Sequence, residues 1–361
     1  MSEEATGMSG GGAGAPRRVP IRMQPSVMTR AVVAFPGRGA YGAGSLHALP
    51  LDHRFVRRAE TLRGDFELTP LRHLDGADRF DPRIHLRPAN AAAMTFLIGM
   101  LDAARIAADH EVVAVVADSI GWYTALAATG ALEFDDAFRL AQEMALLHEQ
   151  PLPADGPGGQ VIYPLTDDAW KPDPALAAAV DRALAAGNGN VHRSEDLGGY
   201  AVLAGTETGV GRLLEALPPI RVGQRSYPLR LALHGPDHTP LVGHVVAAAQ
   251  RLMAELTWRA PRVTLIDGRG VRFTPWSTDP GELARYTLDE QVVTPYRFAT
   301  SLRVALREYA PDVVVLPGPG TSLGGICGQV IVAEGYRGAR SRAGFESIQA
   351  GRKPILLSMR R

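Results

Sequence analysis

The sequence reads Val115-Val116-Ala117-Asp118-Ser119-Ile120-Gly121-Trp122 where an apolar, β-branched run passes through a serine into a helical pattern. A strand that enters a helix through a sharp turn, with serine at the apex and small residues two positions to either side, is typical of a nucleophile elbow. Such a turn projects the serine oxygen outward and leaves the next backbone N–H to hold an oxyanion. An ordinary strand-to-helix turn with a serine or aspartate cap is the alternative, since Ala117 replaces the usual first glycine.

Strand and helix patterns alternate around this turn. Residues 31–35 and 112–116 are short apolar runs typical of buried strands, and residue 35 is followed by Pro36 and Gly37. Helical spacing of apolar residues occurs over 87–108, 122–129 and 134–148. The alternation predicts an α/β fold with a parallel sheet.

The middle of the chain has shorter elements. The pattern over 157–230 predicts a β-α-β-α-β series, with elements at 158–165, 173–186, 200–204, 208–217 and 227–233. We therefore expect a small inserted subdomain at 157–230. After it, a helix at 241–256, a strand at 263–267, a helix at 296–309 and a strand at 313–316 return to the larger pattern. The large α/β domain is expected to comprise 28–156 and 231–361, and the glycine-rich segment 1–27 is expected to be a disordered tail.

Composition limits the possible functions. The 361 residues are 46% hydrophobic, and 38 Lys and Arg balance 38 Asp and Glu, so the chain has no overall basic field for nucleic acid or an anionic membrane. The single cysteine, Cys327, cannot form an internal disulfide and favours a reducing compartment. The longest apolar stretch, 91–101, is too short to span a bilayer. We expect a cytoplasmic protein, and the sequence has neither a phosphate-binding loop nor metal-ligand spacing.

A serine nucleophile needs a base, and His238 is the best candidate among ten histidines. It lies in Gly235-Pro236-Asp237-His238-Thr239-Pro240-Leu241-Val242, a loop that precedes a helical pattern. On its own, a loop histidine beside glycine and proline is more often a surface residue than a base.

Five ordered motifs resemble those of the malonyl-CoA:acyl-carrier-protein transacylases and the related acyltransferase domains of polyketide synthases. The resemblance covers 28 to about 335, and it includes the loop F-P-G-Q-G, the nucleophile motif G-H-S-x-G, the histidine segment G-x-x-H-S-x-L-M, the segment Q-x-x-x-P-V-x-W and the motif G-P-G-x-x-L. Their counterparts here are residues 35–39, 117–121, 235–242, 291–298 and 318–323.

The resemblance implies an α/β-hydrolase-like large domain and a ferredoxin-like small domain. It implies Ser119 as nucleophile, His238 as base and acid, the Ile120 N–H as an oxyanion donor and the backbone carbonyl of Gln291 as the orienting group for His238. It further implies acyl transfer without a bound cofactor, with phosphopantetheine thioesters of coenzyme A or an acyl carrier protein as substrates and partners, in polyketide or fatty-acid biosynthesis.

The pattern departs from the family where malonyl is selected. By gapless counting, the arginine that clamps the malonyl carboxylate falls on Met144, which has no hydrogen-bond donor. We therefore expect an acyl group other than plain malonyl. The alternative is that a shift in helix register, or Arg139, restores the clamp.

Three further departures surround the nucleophile: Arg38 replaces the loop glutamine, Asp118 replaces the histidine before the serine, and Asp237 replaces the residue before the catalytic histidine. One hypothesis is that Arg38 and Asp118 form an ion pair. A second is that Asp237 receives an acyl group bearing an amine or hydroxyl. A third is that Arg38 binds a substrate carboxylate from the opposite wall. The sequence leaves all three open.

Remaining candidates have weaker arguments. Asn90 falls where the family has a glutamine near the substrate, although an amide at a helix start is as often a cap. Trp122 is expected either to wall the pocket or to pack the helix after the elbow, and Cys327 to be a core residue. The C-terminal segment is basic, which suits an acidic carrier protein or a solvated tail; its arginines are Arg337, Arg340, Arg342, Arg352, Arg360 and Arg361.

Two other functions fit the same residues. An acyl-thioester hydrolase that unloads a carrier protein would use the same serine and histidine, with water as acceptor. A catalytically silent relative would only bind a carrier protein. The motifs do not separate these from a transferase.

Overall fold

The structure is a computed structural model that describes residues 28–150, 152 and 156–360. Its strands are β1 (Thr29–Phe35), β2 (His110–Ala117), β3 (Gly159–Pro164), β4 (Val191–Asp196), β5 (Tyr200–Gly205), β6 (Ile220–Val222), β7 (Arg225–Tyr227), β8 (Leu229–Arg230), β9 (Leu265–Ile266), β10 (Arg272–Phe273), β11 (Val313–Leu316) and β12 (Leu356–Ser358). The expected disordered tail, 1–27, lies outside the described residues.

The helices surround these strands. They are α1 (Arg54–Gly64), α2 (Leu71–Asp75), α3 (Pro82–His85), α4 (Pro88–Asp109), α5 (Gly121–Thr129), α6 (Phe134–His148), α7 (Pro174–Ala185), α8 (Glu207–Ala216), α9 (Gly243–Leu252), α10 (Pro280–Arg285), α11 (Gln291–Val293), α12 (Phe298–Tyr309), α13 (Leu323–Ala333) and α14 (Arg342–Gln349). A π-helical turn, Tyr286–Glu290, leads directly into α11.

A six-stranded sheet forms the centre of the large domain, with strand order β10-β9-β2-β1-β11-β12. All neighbouring pairs are parallel except the edge pair of β9 and β10. The central strands are buried on both faces, which explains why they consist almost wholly of Val, Ala and Phe. The prediction of an α/β fold with a parallel sheet is confirmed.

Helix α4 is the longest apolar element and packs within the core. By length and composition it passes the test for a membrane span, but 72% of its apolar window is buried inside the protein. Its partners include α5, α6 and β2. Because its apolar face is covered by other helices and by the sheet, α4 is a core helix.

The four-stranded sheet of the small subdomain has one strand more than the sequence analysis predicted, and strand β6 was not predicted either. The missed strand of the four-stranded sheet is β4, so that β3-α7-β4-β5-α8-β8 follows the βαββαβ order of ferredoxin-like folds. Its sheet is antiparallel, with order β4-β5-β3-β8, and β6 and β7 form a separate hairpin. Strand β4 was missed because its sequence, Val191 to Asp196, is largely polar and lacks the alternation of a half-buried strand.

Two elements are shorter than predicted. The helix expected over 241–256 is regular only in α9, after a 3₁₀ turn at Pro240–Val242, and the strand expected over 263–267 pairs only at β9. The predicted limits of the two domains stay a prediction. Strand β4 of the small subdomain contacts the large domain through backbone hydrogen bonds. The Ser194 carbonyl accepts from the Tyr296 N–H at 2.8 Å, and the Asp196 N–H donates to the Tyr296 carbonyl at 2.8 Å.

Candidate active site

The turn between β2 and α5 has the geometry of a nucleophile elbow. Ser119 has a φ of +48°, a left-handed conformation that is uncommon outside glycine and that is often found at functional sites. Gly121 allows the close approach of β1, because a Cβ at this position would lie 2.7 Å from the carbonyl oxygens of Phe35 and Pro36. The elbow therefore requires glycine at 121.

Ser119 and His238 are hydrogen-bonded. Ser119 Oγ lies 2.8 Å from His238 Nε2, and His238 Nδ1 lies 2.7 Å from the backbone carbonyl of Gln291. A carbonyl can only accept, so Nδ1 carries the proton and Nε2 is left as the acceptor for the serine hydroxyl. Burial lowers the pKa of His238, and the Gln291 carbonyl opposes part of this shift. The neutral imidazole is suited to remove a proton from the serine.

Gln291 contacts both members of this pair. Besides accepting from His238, it donates from Nε2 to the backbone oxygen of Ser119 at 3.2 Å. The π-helical turn before α11 positions Gln291 so that its backbone carbonyl faces His238 and its side chain faces Ser119.

The loop that carries His238 is held from the small subdomain. Ser194 on β4 donates to the carbonyl of Asp237 at 2.7 Å and accepts from Gln160 on β3 at the same distance. Thr239 closes the loop by donating to the Pro236 carbonyl at 2.6 Å. These bonds hold His238 in a left-handed conformation, with a φ of +57°.

The backbone N–H of Ile120 is available for a ligand. Among the hydrogen bonds of the described residues, Asp118, Gly121 and Trp122 donate to backbone carbonyls around the turn, whereas Ile120 donates to none. A donor in this position next to the serine suits an oxyanion.

A cavity of about 550 Å³ opens onto Ser119 and His238. It lies between the large domain and the small subdomain, and Met144 lines it from α6, as the sequence analysis expected. Arg139, the residue considered as a substitute for the clamp, is exposed on the same helix and does not line the cavity. The described part of α6 therefore presents no arginine to the cavity.

Arg38 pairs with Asp237 and not with Asp118, so the first hypothesis for these residues is wrong. Arg38 donates to Asp237 Oδ2 at 3.4 Å, and His148 Nδ1 lies 2.8 Å from Asp237 Oδ1. Burial opposes the ionisation of Asp237, yet His148 and Arg38 lower its pKa below the usual range. The negative charge of Asp237 is thus already balanced by Arg38 and His148, which weakens the hypothesis that it receives an amine or hydroxyl of the substrate.

Two other carboxylates line the cavity with less compensation. Asp118 is 9% exposed, and its Oδ1 has no hydrogen-bond partner among the described residues. Burial raises the pKa of Asp118 to about 7. Glu195, on β4, is 8% exposed and lies 3.7 Å from His238 Nε2 through its Oε1. Burial, together with the charges of Asp118 and Asp237, raises the pKa of Glu195 well above its usual range.

Asn90 and Trp122 do not line the cavity. Trp122 packs within the core, which was one of the two expectations for it, and Asn90 is neither at the cavity nor the cap of α4. Asn90 accepts from the buried guanidinium of Arg63 and donates to the Ile84 carbonyl at 2.8 Å, so it joins the end of α1 and the short α3 to the first turn of α4. Trp122 is fully buried and donates to Thr287 at 2.9 Å. Both side chains belong to the core because their polar atoms are satisfied there.

Cys327 and two of the C-terminal arginines, Arg337 and Arg360, have structural contacts. Cys327 is fully buried in α13, as expected of a core residue. Arg360 binds Asp102 at 3.0 Å, and Arg337 donates to the Asp312 carbonyl. Arg342 differs because it lines the mouth of the cavity, where its guanidinium lies over the Trp170 ring. Arg361 lies outside the described residues.

The sequence analysis missed Glu195, Ser194 and His148. The first two lie on the polar strand β4, and their burial is the reason that this strand has no apolar alternation. His148 had a usable signal, since it is four residues after Met144 on one helix and must share its face. No comparable signal in the sequence places a residue of the small subdomain beside His238.

Comparisons with known proteins support the resemblance inferred from the motifs. The chain is 24% identical over 311 residues to a malonyl-CoA acyl carrier protein transacylase of Escherichia coli O157:H7, covering 84% of this chain and 94% of the relative. A transacylase of Haemophilus influenzae is 23% identical over 310 residues, covering 84% and 93%. No protein-family model matches the chain.

Solved structures show the same fold. An acyl-carrier-protein S-malonyltransferase from Burkholderia pseudomallei has a TM-score of 0.67 at 23% identity, covering 83% of this chain and 93% of that one. A malonyl-CoA:acyl carrier protein transacylase from Xanthomonas oryzae has a TM-score of 0.68 at 23% identity, covering 84% and 92%. A malonyl-transacylase in complex with a type II polyketide acyl-carrier protein has a TM-score of 0.67 at 18% identity, covering 84% and 93%. The fold predicted from the resemblance is confirmed.

Proposed function

We propose that this chain, a relative of the malonyl-CoA:acyl-carrier-protein transacylases with their fold, is an acyltransferase. It moves an acyl group between phosphopantetheine thioesters of coenzyme A and an acyl carrier protein through an acyl-serine. The observation that carries the proposal is the hydrogen-bonded series from Ser119 to His238 to the Gln291 carbonyl, at 2.8 and 2.7 Å, at the base of a cavity that can admit a thioester. Its setting is cytoplasmic polyketide or fatty-acid biosynthesis.

The first half-reaction acylates the serine. His238 Nε2 takes the hydroxyl proton as Ser119 Oγ attacks the thioester carbonyl, and the Ile120 N–H donates to the oxyanion that forms. The C–S bond then breaks, and the imidazolium returns its proton to the leaving thiolate. The products are a free thiol and an ester on Ser119.

The second half-reaction reverses these steps with another thiol. His238 removes the proton of the incoming phosphopantetheine thiol, and the thiolate attacks the ester carbonyl. The bond between the acyl carbon and Ser119 Oγ then breaks, and the proton returns to Oγ. Because both half-reactions use one serine and one histidine, the kinetics are ping-pong.

The acyl group is not plain malonyl under this proposal. Met144 lines the cavity where the family's clamp arginine is expected, and Arg38 is engaged by Asp237. A malonyl carboxylate would therefore be desolvated without a bidentate partner, beside Glu195 and Asp118.

Intact-protein mass spectrometry tests the proposal. Wild type and Ser119→Ala are exposed briefly to malonyl, acetyl, longer acyl and aminoacyl thioesters of coenzyme A and a carrier protein. We expect a mass gain that requires Ser119, persists in buffer and is lost on addition of a carrier protein. His238→Ala should slow acylation about 10³-fold or more, as for other histidine bases.

Other outcomes point to other functions. A mass gain that disappears in buffer alone would identify a thioester hydrolase. A carrier protein that binds to wild type without any Ser119-dependent acylation would identify the catalytically silent relative. A strong preference for malonyl would contradict the assignment of the acyl group only.

A further inference from the structure

Glu195 and Asp118 are two carboxylates of the cavity that lack a cationic partner. Among the described residues, the ion-pair distance that Glu195 makes is to the His238 imidazole at 3.7 Å, and that imidazole is the neutral base. The Arg38 charge favours ionised Glu195 from beyond ion-pair distance, but burial and the charges of Asp118 and Asp237 outweigh it. Asp118 Oδ1 is buried and unpartnered, while its Oδ2 lies against the backbone of Gly37, where a Cβ would approach it to 2.7 Å. Buried carboxylates without a counter-charge are costly, and the cost is offset when a ligand supplies the charge.

Arg38, the arginine that lines the same cavity beside these carboxylates, is already paired with another carboxylate. Arg38 is 7% exposed and its bond is to Asp237, which His148 also approaches. Asp237 is therefore balanced from two sides, whereas Glu195 and Asp118 are not. The wall of the cavity that Met144 contributes is apolar and adds no donor.

We propose that the acyl group transferred by this site carries a basic amine, and that Glu195 and Asp118 bind its ammonium. The inference rests on the proposed function, because it names the acyl group of the acyl-serine. The reach is suitable: Ser119 Oγ and Glu195 Oε1 approach the same nitrogen, His238 Nε2, at 2.8 and 3.7 Å. An ammonium on the second or third carbon of an acyl chain on Ser119 falls in that space.

An ammonium satisfies this pair better than a hydroxyl does. It brings a full positive charge and three N–H donors into a region of low dielectric, where hydrogen bonds between charged partners are the strongest. It also lowers the free energy needed to keep both carboxylates ionised, which burial and mutual repulsion oppose. A hydroxyl or methyl group at the same position leaves that repulsion in place.

The test compares acyl groups of one chain length that differ only in the substituent on the third carbon. Butyryl, 3-hydroxybutyryl and 3-aminobutyryl thioesters of coenzyme A are mixed with wild type, and the rate of Ser119 acylation is followed by quenched mass spectrometry. We expect the aminoacyl group to react faster than the other two groups by about tenfold or more, since charged hydrogen bonds in a buried site discriminate at least that strongly. Glu195→Gln and, separately, Asp118→Asn should reduce this ratio toward one.

Asp168→Asn is the matched control, because Asp168 lines the same cavity from an exposed position at the mouth and should leave the ratio unchanged. Equal rates for the three groups, or faster reaction of butyryl or 3-hydroxybutyryl, would overturn the inference while leaving the acyltransferase intact. If no donor acylates Ser119, the proposed function fails instead. Calorimetric binding of the same three thioesters to Ser119→Ala then decides the inference, which is refuted if the amine binds no more tightly than the other two.

Discussion

Gln291 donates from its side-chain Nε2 to the backbone oxygen of Ser119 at 3.2 Å, while its own backbone carbonyl accepts from His238 at 2.7 Å. One residue thus fixes the serine and the histidine relative to each other. The backbone contact cannot be removed by substitution, but the side-chain contact can, so the two contributions are separable.

Gln291→Leu removes the side-chain bond and keeps the carbonyl for His238. We expect the rate of Ser119 acylation to fall about 5- to 10-fold, the value of one hydrogen bond of about 1 kcal/mol, with little change in KM. Single-turnover acylation measures this. Gln349→Leu, which removes side-chain bonds to the backbone at Ile355 and Leu356 far from Ser119, should lower stability without lowering the rate. Equal rate losses in both variants would refute a positioning role for Gln291.

The contact of Gly121 with β1 gives a second prediction. In Gly121→Ala the new Cβ would meet the carbonyl oxygens of Phe35 and Pro36 at 2.7 Å, so the elbow must move away from β1. We expect a loss of about 2 kcal/mol or more in unfolding free energy and a loss of acylation of about 100-fold or more, because a small displacement of a nucleophile has this effect. Denaturant unfolding and the acylation assay measure the two quantities.

Gly211→Ala is the control for this variant. Gly211 lies within α8, and a Cβ there has no atom within 4 Å. The substitution should stabilise the protein by about 0.5 to 1 kcal/mol and leave acylation unchanged. A Gly121→Ala protein that retains wild-type acylation would contradict the account of the elbow.

Strands and helices with a regular apolar pattern could be predicted from the sequence. The strands β1, β2 and β11 are apolar because they are buried on both faces, and the helices α4, α5 and α6 show the spacing of a buried face. Ser119, His238 and Gln291 follow from a motif order that resembles a family, and the structure brings these three together.

The rest of the site depends on contacts between distant segments. Charge alone made Arg38 and Asp118 a plausible pair, but the partner of Arg38 is chosen by where the loop before α9 places Asp237. Glu195 could not be found because a polar strand resembles a surface loop in sequence, and its burial follows from packing against the large domain. Trp122 shows the converse, since its size suggests a pocket wall while the fold places it against Thr287 and Tyr286.

The ion pair of Arg38 and Asp237 should show strong energetic coupling. Arg38→Gln leaves a buried Asp237 with only His148 beside it, so we expect the single variant to lose about 2 kcal/mol or more and Asp237→Asn in the same chain to recover part of that loss. A double-mutant cycle on the unfolding free energy measures the coupling. The exposed pair of Arg58 and Asp135 is the control and should show much weaker coupling, because solvent screens it. Additive effects at Arg38 and Asp237 would show that their contact has no energetic weight.

The mouth of the cavity gives a prediction about the carrier protein. Arg225 on β7 and Arg342 on α14 both line the cavity and are exposed. Arg225→Glu and Arg342→Glu should each raise KM for an acyl carrier protein several-fold, an effect that salt reduces, and leave the reaction with a small pantetheine thioester unchanged. Arg212→Glu, on the exposed face of α8, changes the net charge equally and should have no effect on KM. A KM that rises for the small thioester as well would place these arginines in acyl binding.

The raised pKa of Asp118 makes the stability of the protein depend on pH in a definite direction. Burial raises this pKa from 3.8 to about 7, so the folded state binds the proton more tightly than the unfolded state. The unfolding free energy contributed by this group therefore falls as pH rises from about 4 to about 7, by about 4 kcal/mol at most. Asp118→Asn removes the titrating group, so its melting temperature should exceed that of wild type at pH 8 and match it near pH 4.

Asp181→Asn is the control for this comparison because the Asp181 side chain is 71% exposed, and it should show the same small difference at both pH values. An equal difference between wild type and Asp118→Asn at the two pH values would contradict the burial of an ionisable group there. If Asp118 serves the ammonium of a substrate, the stabilised variant should also lose discrimination between 3-aminobutyryl and butyryl thioesters. An aminoacyl ligand that fills the cavity of wild type at pH 8 should then raise its melting temperature more than that of Asp118→Asn, since the ligand supplies the counter-charge that the folded chain lacks.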